Sequence, residues 1–371
     1  MRRREFIGKA AGTLGGVATL AACGRGSETA AGGAPAVHTV ERVRWRLASS
    51  FPRGLDTIYG ASEIMARNVD AMTGGRFQIR TYPSGELVPG LQVLDAVHQG
   101  TVQIGQTASY YYTGKDPALA FDTSVPFGLT SRQQTAWLEE GGGRELMAPV
   151  FADFGVVAIP GGNTGTQMGG WFNRAIDTPD DIRGLKMRIP GLGGEVMSRL
   201  GATVQVIAGG DIYPALERGA IDATEWIGPY DDEKLGFHKV AKLYYYPGWW
   251  EPGPNLSYVV SRDAWMSLSK ELQQVLRVSC QASASIMQAL YDAKNPPAMT
   301  RLIAGGTDFR PFSDAVLEAC RGASDELLEG YAAAEPRYRK IYGAWKKFRT
   351  ESSAWFGTAE LAFARFAALQ R

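Results

Sequence analysis

Glu225 and Trp226 stand side by side at the end of a short apolar run, Ala220–Trp226. Further along the same segment, Trp249, Trp250 and Glu251 again pair an acid with large aromatics. Ahead of the first pair, the spacing predicts a helix over Asp211–Arg218 that Gly219 stops. Glu225 then falls at the C-terminal end of the strand that follows. Open α/β sheets bind their ligands in the crevice outside such strand ends. Two carboxylates with few basic residues close in sequence suit a hard cation held by oxygen ligands. Residues 211–254 therefore imply a crevice shared by a metal ion and a small anion.

The elements that must position these residues follow from hydrophobic periodicity. Val43, Trp45 and Leu47 alternate with Arg42, Arg44 and Arg46, as in a half-buried strand. Ile58, Ala61, Met65, Val69 and Met72 fall at helical spacing until Gly74-Gly75. Arg76–Tyr82 is strand-like, Leu91–His98 helical, and Val102–Gly105 strand-like again. This alternation favours an α/β domain with a largely parallel sheet. It repeats through strands at Val156–Ile159, Thr166–Phe172, Lys186–Ile189 and Val204–Ile207, with a helix at Gly194–Leu200. Gly161–Gly165 and Pro252–Pro254, ahead of a strand at Leu256–Val260, are the expected crossings between two halves. A long helix is expected from Ser269, bent or ended at Asn295-Pro296-Pro297, because proline removes a donor and clashes with the preceding turn. A strand at Thr307–Phe312 precedes a helical tail that bends around Pro336. The tail's aromatic stripe (Tyr338, Tyr342, Trp345, Phe348, Trp355, Phe363, Phe366) suits either its own core or a dimer contact.

The chain has 371 residues, of which 45% are hydrophobic and 21% charged, with a net charge of +1. That is a globular composition with room for two domains, and it gives no support to nucleic-acid binding. Residues 1–36 have the marks of an export segment. Arg3-Arg4-x-Phe-Ile matches a twin-arginine signal, and Leu20-Ala21-Ala22-Cys23 resembles a bacterial lipobox that would lipidate Cys23. Plain cleavage near Ala34-Pro35-Ala36 is the alternative. Cys280 and Cys320 are expected as buried thiols, with a disulfide permitted by an oxidising compartment. His38, His98 and His238 are scattered, which argues against zinc. The run Asp231-Asp232-Glu233 is expected as a solvated face or a helix start.

Four stretches carry a resemblance: SGELVPGLQVLDAVHQGTVQIGQTASYYYTGKDPA, GLKMRIPGLGGEVMSRLGA, ALERGAIDATEWIGPYDDEKLGF and YYYPGWWEPG. They resemble the periplasmic substrate-binding proteins of TRAP transporters, in the branch that takes 2-oxo and 2-hydroxy monocarboxylates, over roughly Val43 to Trp345. The resemblance implies an α/β, two-lobed periplasmic binding protein fold with hinge strands, a long connecting helix of about 269–303 and a helical C-terminal tail. Lobe I would comprise 37–160 with 253–312, lobe II 161–252, and the tail 313–371. It implies that Arg188 clamps the ligand carboxylate, a role suited to a planar, always-charged guanidinium. It also implies a metal ion held by Gln167, Glu225, the carbonyl of Trp226, and Glu251.

Oxygen-only ligation fits Ca²⁺ or Na⁺, and two carboxylates favour the higher charge. Tyr111, among Tyr110–Tyr112, is the favoured donor to the ligand's oxo or hydroxy oxygen. Asn255 is a further polar contact, and Trp226, Trp171 and Phe51 are expected to wall the apolar part. The implied partners are the membrane permease, a small carboxylate, a second copy of the chain through the C-terminal helices, and, if Cys23 is lipidated, the membrane itself. Two other classes compete: an exported metal-dependent hydrolase and a receptor feeding a sensor. The chain has no HExxH, no nucleophile elbow and no P-loop, which weighs against an enzyme.

Overall fold

The computed structural model describes residues 42–368; the expected export segment, with Arg3, Arg4 and Cys23, lies outside the described residues. Among the described residues, eleven strands form two sheets. The first has the order β2 (Phe77–Tyr82), β1 (Val43–Ser49), β3 (Ile104–Thr107), β10 (Asn255–Ser261), β4 (Val156–Asn163). The second runs β11 (Asp308–Pro311), β9 (Leu243–Tyr246), β5 (Gly170–Phe172), β8 (Ala223–Thr224), β6 (Lys186–Arg188), β7 (Thr203–Gln205). Both are mixed rather than largely parallel. β10 runs antiparallel to β3 and β4, and β5 runs antiparallel to β8 and β9. Antiparallel pairing follows where the chain enters the second sheet and returns beside its point of exit: Asn163 and Asn255 are register partners. Thr307–Phe312, grouped by chain order with the first sheet, instead gives β11, which pairs in parallel with β9 of the second.

Alternating burial organises the strands. Trp45 and Leu47 of β1, and Phe77 and Ile79 of β2, join Ile104 and Tyr258 in one core with Met65 and Val69 of the helix Ile58–Met72. The helix Lys270–Ala304 is 35 residues long and continues through Pro296 and Pro297. The prolines are adjacent, so they interrupt one short stretch of the hydrogen-bond ladder. Beyond them, buried Ala298 and Leu302 tie the last turns to the protein. The tail forms two helices, Asp314–Ala334 and Pro336–Phe356, and then a further helical stretch. Its stripe divides: Tyr338, Tyr342 and Trp345 pack into the core, whereas Trp355, Phe363 and Phe366 are exposed. Cys280 and Cys320 are buried free thiols.

Two expectations fail because tertiary contacts override local pattern. The strand expected over Ala220–Trp226 pairs only at Ala223–Thr224. Of the two readings of Asp231-Asp232-Glu233 the helix start holds, with both aspartates in the first turn of Pro229–Leu235, and the solvated face fails for them: they are 0% and 1% exposed, and only Glu233 reaches outward, to Arg301. One glycine fixes the second sheet's centre. Gly170 has φ +95, and a Cβ there would meet the Thr224 carbonyl oxygen at 2.4 Å, so β5 and β8 close on each other only with glycine at this point.

Candidate functional site

Parallel strands β6 and β8 end side by side, Arg188 opposite Thr224 and one residue short of Glu225. Their C-terminal ends carry a guanidinium and a carboxylate, both 1% exposed. Arg188 Nε donates to the Ile207 carbonyl at 3.1 Å and Nη1 to the Glu225 carbonyl at 3.2 Å. Nη1 also pairs with the Glu225 carboxylate, while Nη2 has no partner. The guanidinium lies over the Trp226 indole, 5.3 Å from its centroid, a desolvated cation–π contact. The indole itself rests on Gly209, where a Cβ would meet the ring at 2.4 Å.

From the other side, the turn Ser109–Tyr112 brings in Tyr110 and Tyr111, whose rings meet edge to face at 5.0 Å. Tyr111 faces Arg188; burial raises its hydroxyl to about 12 against the lowering effect of that arginine. Tyr112 turns away: its hydroxyl accepts from Leu94 N at 3.1 Å and lies 3.0 Å from Thr107 Oγ1. Gln167, ahead of β5, donates its amide to Thr164 Oγ1 at 3.0 Å and leaves Oε1 unpartnered. Glu251 is buried beside Tyr110 and Gln167 with Oε2 unpartnered. Burial first, and the Glu225 charge second, hold its carboxyl well above the usual range. Glu225 is raised to about 7 by burial, offset in part by Arg188.

Of these residues, Tyr110, Tyr111, Gln167, Arg188 and Trp226 line a cavity with Phe51, Ile58, Ile227, Pro254 and Leu256 as its apolar wall. Its free volume is ≈ 10 Å³, room for about one water. Four buried polar side-chain atoms of this group lack partners: the donors Arg188 Nη2 and Trp226 Nε1, and the acceptors Gln167 Oε1 and Glu251 Oε2. Unpaired buried polar atoms are costly and rare in proteins, so four in one cluster are matched to something the site binds. The donors suit an anion's oxygens. The acceptors, with Glu225 alongside, suit a hard cation. Among the described residues no three His, Cys, Asp or Glu side chains cluster as a metal site. A cation here draws on Gln167 and main-chain oxygen as well as the two glutamates.

The structure thus brings Arg188, Gln167, Glu225, Trp226, Glu251, Tyr111 and Phe51 together. It places two expected residues elsewhere. Trp171 is fully buried, its Nε1 donating to Asp232 at 2.9 Å and its ring stacked 4.1 Å from Tyr244. Asn255 gives its amide to the Asp122 carbonyl and Ser257 Oγ, both at 3.1 Å. It opens on a separate hollow with Asn163 and Gln288. Strand alternation accounts for this: Leu256 points into the cavity, so its neighbour Asn255 points away. Ile58, Thr164, Ile227 and Pro254 line the cavity without any marker in residue type. The signal available was the adjacency of Ile227 to Trp226 and the nearness of Thr164 to Gln167 in the chain.

Residues 49–335 match the family of bacterial extracellular solute-binding proteins, family 7 (DctP). The chain belongs to this family. DctP proteins bind substrates for transport and are not enzymes. A monocarboxylate 2-oxoacid-binding periplasmic protein of Nostoc is 49% identical over 367 residues, 99% of each chain. A TRAP transporter solute-binding protein of Bordetella bronchiseptica, a dimer with copurified calcium and picolinate, has a TM-score of 0.88 and 45% identity, covering 89% of this chain and 99% of its own. Two further TRAP periplasmic solute-binding proteins each have a TM-score of 0.85 and 40% identity, covering 88% of this chain and 99% of their own. That of Colwellia psychrerythraea holds calcium and pyruvate, that of Pseudoalteromonas atlantica sodium and pyruvate.

Proposed function

We propose that this DctP protein captures a small 2-oxo or 2-hydroxy monocarboxylate of pyruvate or lactate size, together with Ca²⁺ or Na⁺, and delivers it to a TRAP membrane permease. The observation that carries this reading is the set of four unpartnered buried atoms, two donors and two acceptors, at and beside one small cavity. Arg188 takes the carboxylate, with Nη2 ready and Nη1 freed when Glu225 turns from it. Tyr111 donates to the oxo or hydroxy oxygen. Gln167, Glu225, the Trp226 carbonyl and Glu251 hold the metal, which when bound supplies positive charge between the glutamates and the anion. Phe51, Ile58 and Leu256 face the short alkyl end.

With Ca²⁺ the charges of the metal, Arg188, both glutamates and the ligand cancel. With Na⁺ one negative charge is left over, so the higher charge is favoured. The experiment is native mass spectrometry of the purified protein, followed by calorimetry with pyruvate before and after chelation. Copurified metal with a 2-oxo acid, and affinity lost on chelation and restored by Ca²⁺, is the expected result. Full affinity after exhaustive chelation in sodium-free buffer removes the metal from the site.

Around this site we assign the first sheet with the long helix to one lobe and the second sheet, β11 included, to the other, closing over the ligand from an open form. Export through the twin-arginine signal, lipidation of Cys23 and homodimerisation through the C-terminal helices complete the proposal. Exposed Trp355, Phe363 and Phe366 support the last. A concentration-dependent mass that becomes monomeric on replacing these three by serine is the check.

A further inference from the structure

Asp231 and Asp232 are adjacent residues of the helix Pro229–Leu235, both buried, and they reach in different directions. Asp231 accepts from Thr57 Oγ1 at 2.7 Å and from the Tyr291 hydroxyl at 2.6 Å, both on the side of the first sheet and the long helix. Asp232 accepts from Trp171 Nε1 at 2.9 Å and the Tyr244 hydroxyl at 2.7 Å, on β5 and β9 of the second sheet. Its other oxygen accepts from the Ile227 amide at 3.3 Å. Thr57 precedes Ile58, and Ile227 follows Trp226; Ile58, Ile227 and Trp226 all line the cavity. One peptide unit therefore joins opposite walls of the site. An outer layer repeats the connection, since Asp56 pairs with Lys294 at 2.6 Å, with Tyr230 at 3.0 Å and with Lys234.

We propose that Asp231 and Asp232 are the positioning pair of this binding site, a yoke that ties the Thr57–Ile58 wall to the Trp226–Ile227 wall and sets how tightly the cleft shuts on a ligand. Neither carboxylate touches the cavity, so the pair acts through the residues it holds. Buried carboxylates with two or three directed donors each are stiff connectors, because any opening that separates Thr57 from Asp231 leaves a buried acceptor short of a partner. The inference rests on the reading of the cavity as a ligand site.

The test compares Thr57→Val, which removes the donor at nearly constant volume, with Thr57→Ser, which keeps it. Pyruvate dissociation and association are followed by stopped-flow tryptophan fluorescence in the presence of Ca²⁺. Thr57→Val is expected to raise the dissociation rate about tenfold with association within about twofold of wild type, and Thr57→Ser to restore wild-type behaviour. Tyr291→Phe, on the same carboxylate, stands in if Thr57→Val fails to fold. Equal dissociation rates for wild type and Thr57→Val, or no rescue by Thr57→Ser, overturn the proposal. In parallel, the spacing of the sheets is measured without ligand between nitroxide labels at Gln78→Cys and Asp180→Cys on a Cys23→Ser background. A longer distance in Thr57→Val supports the yoke and an unchanged one overturns it. Wild-type protein that binds no 2-oxo acid, yet shows the longer distance in the variant, sinks the cavity reading and leaves the yoke standing.

Discussion

Arg188 gives up its hydration on folding and keeps one guanidinium nitrogen, Nη2, without a partner. Burial lowers its affinity for its proton, but Glu225 together with Tyr111, Tyr110 and Glu251 more than restores it, so the side chain is charged under all ordinary conditions. An arginine on an open cleft wall would be expendable for stability; this one is not. Arg188→Ala leaves Glu225 and Glu251 buried with no cation near them. It is expected to cost about 3–5 kcal/mol of stability as well as binding. Arg188→Lys is the cleaner probe, because it keeps the charge and loses the fork. Its expected effect by titration calorimetry is a Kd for pyruvate weakened at least about tenfold, with a smaller fall in melting temperature than Arg188→Ala. Equal affinity for the lysine variant removes Arg188 from the ligand. The neighbouring tyrosines separate in the same way. Tyr111→Phe is expected to weaken ligand binding by about 1 kcal/mol at little cost in stability, and Tyr112→Phe to do the reverse.

At the scale of elements, the turn Ser109–Tyr112 packs Tyr110 and Tyr112 into the hydrophobic cores and is tied down by a buried carboxylate. Asp122 accepts from Ser109 Oγ at 2.6 Å and from Ser257 Oγ at 2.8 Å, joining the turn to β10. Asn255 completes the network through the Asp122 carbonyl. Ser109→Ala removes one of the two side-chain donors to a buried acceptor. It is expected to cost about 1–3 kcal/mol in urea unfolding and to weaken pyruvate binding through Tyr110 and Tyr111. A variant with wild-type affinity shows that the turn is held by other contacts.

None of this network was visible in the sequence, where Asp122, Ser109 and Ser257 carry no pattern. Elements with strong periodicity, such as Ile58–Met72 and β1, were legible because one face of each is a continuous apolar stripe. Glu225 was legible as a strand-end charge among apolar residues, whereas Arg188 came from the resemblance of its motif and Glu251, in a loop, from its aromatic neighbours and the same resemblance. β9 was not, because LYYY lacks alternation. Asp231 and Asp232 were legible as a helix start but not as buried residues, because the partners that permit their burial, Thr57, Trp171, Tyr244 and Tyr291, are distant in sequence.

For the molecule as a whole, the buried acids set how stability depends on pH. Burial pushes Asp122 and Asp231 up to about 6 each, with the hydroxyl donors at each site opposing the rise. A carboxyl whose pKa is higher folded than unfolded binds its proton more tightly in the native state, so protonation favours folding. Its contribution is fully present below the unfolded value near 3.8 and is lost as pH rises through about 6. Asp56 acts oppositely: its lysine and tyrosine partners outweigh partial burial and lower it to about 2, so its contribution disappears only as pH falls toward that value. Asp56 is mostly exposed, and screening keeps its share small. Between pH 7.5 and 5, therefore, the buried acids decide the sign, with Asp232, Glu225 and Glu251 shifted by burial in the same direction as Asp122 and Asp231. The ligand-free, metal-free protein is expected to melt at least about 2–4 °C higher at pH 5 than at pH 7.5 by scanning calorimetry. Asp122→Asn, which carries no titrating proton, is expected to flatten part of that slope. A melting temperature that falls steadily from pH 7.5 to 5 would mean that these carboxylates are ionised and fully compensated in the folded state, and that their hydrogen bonds outweigh their burial.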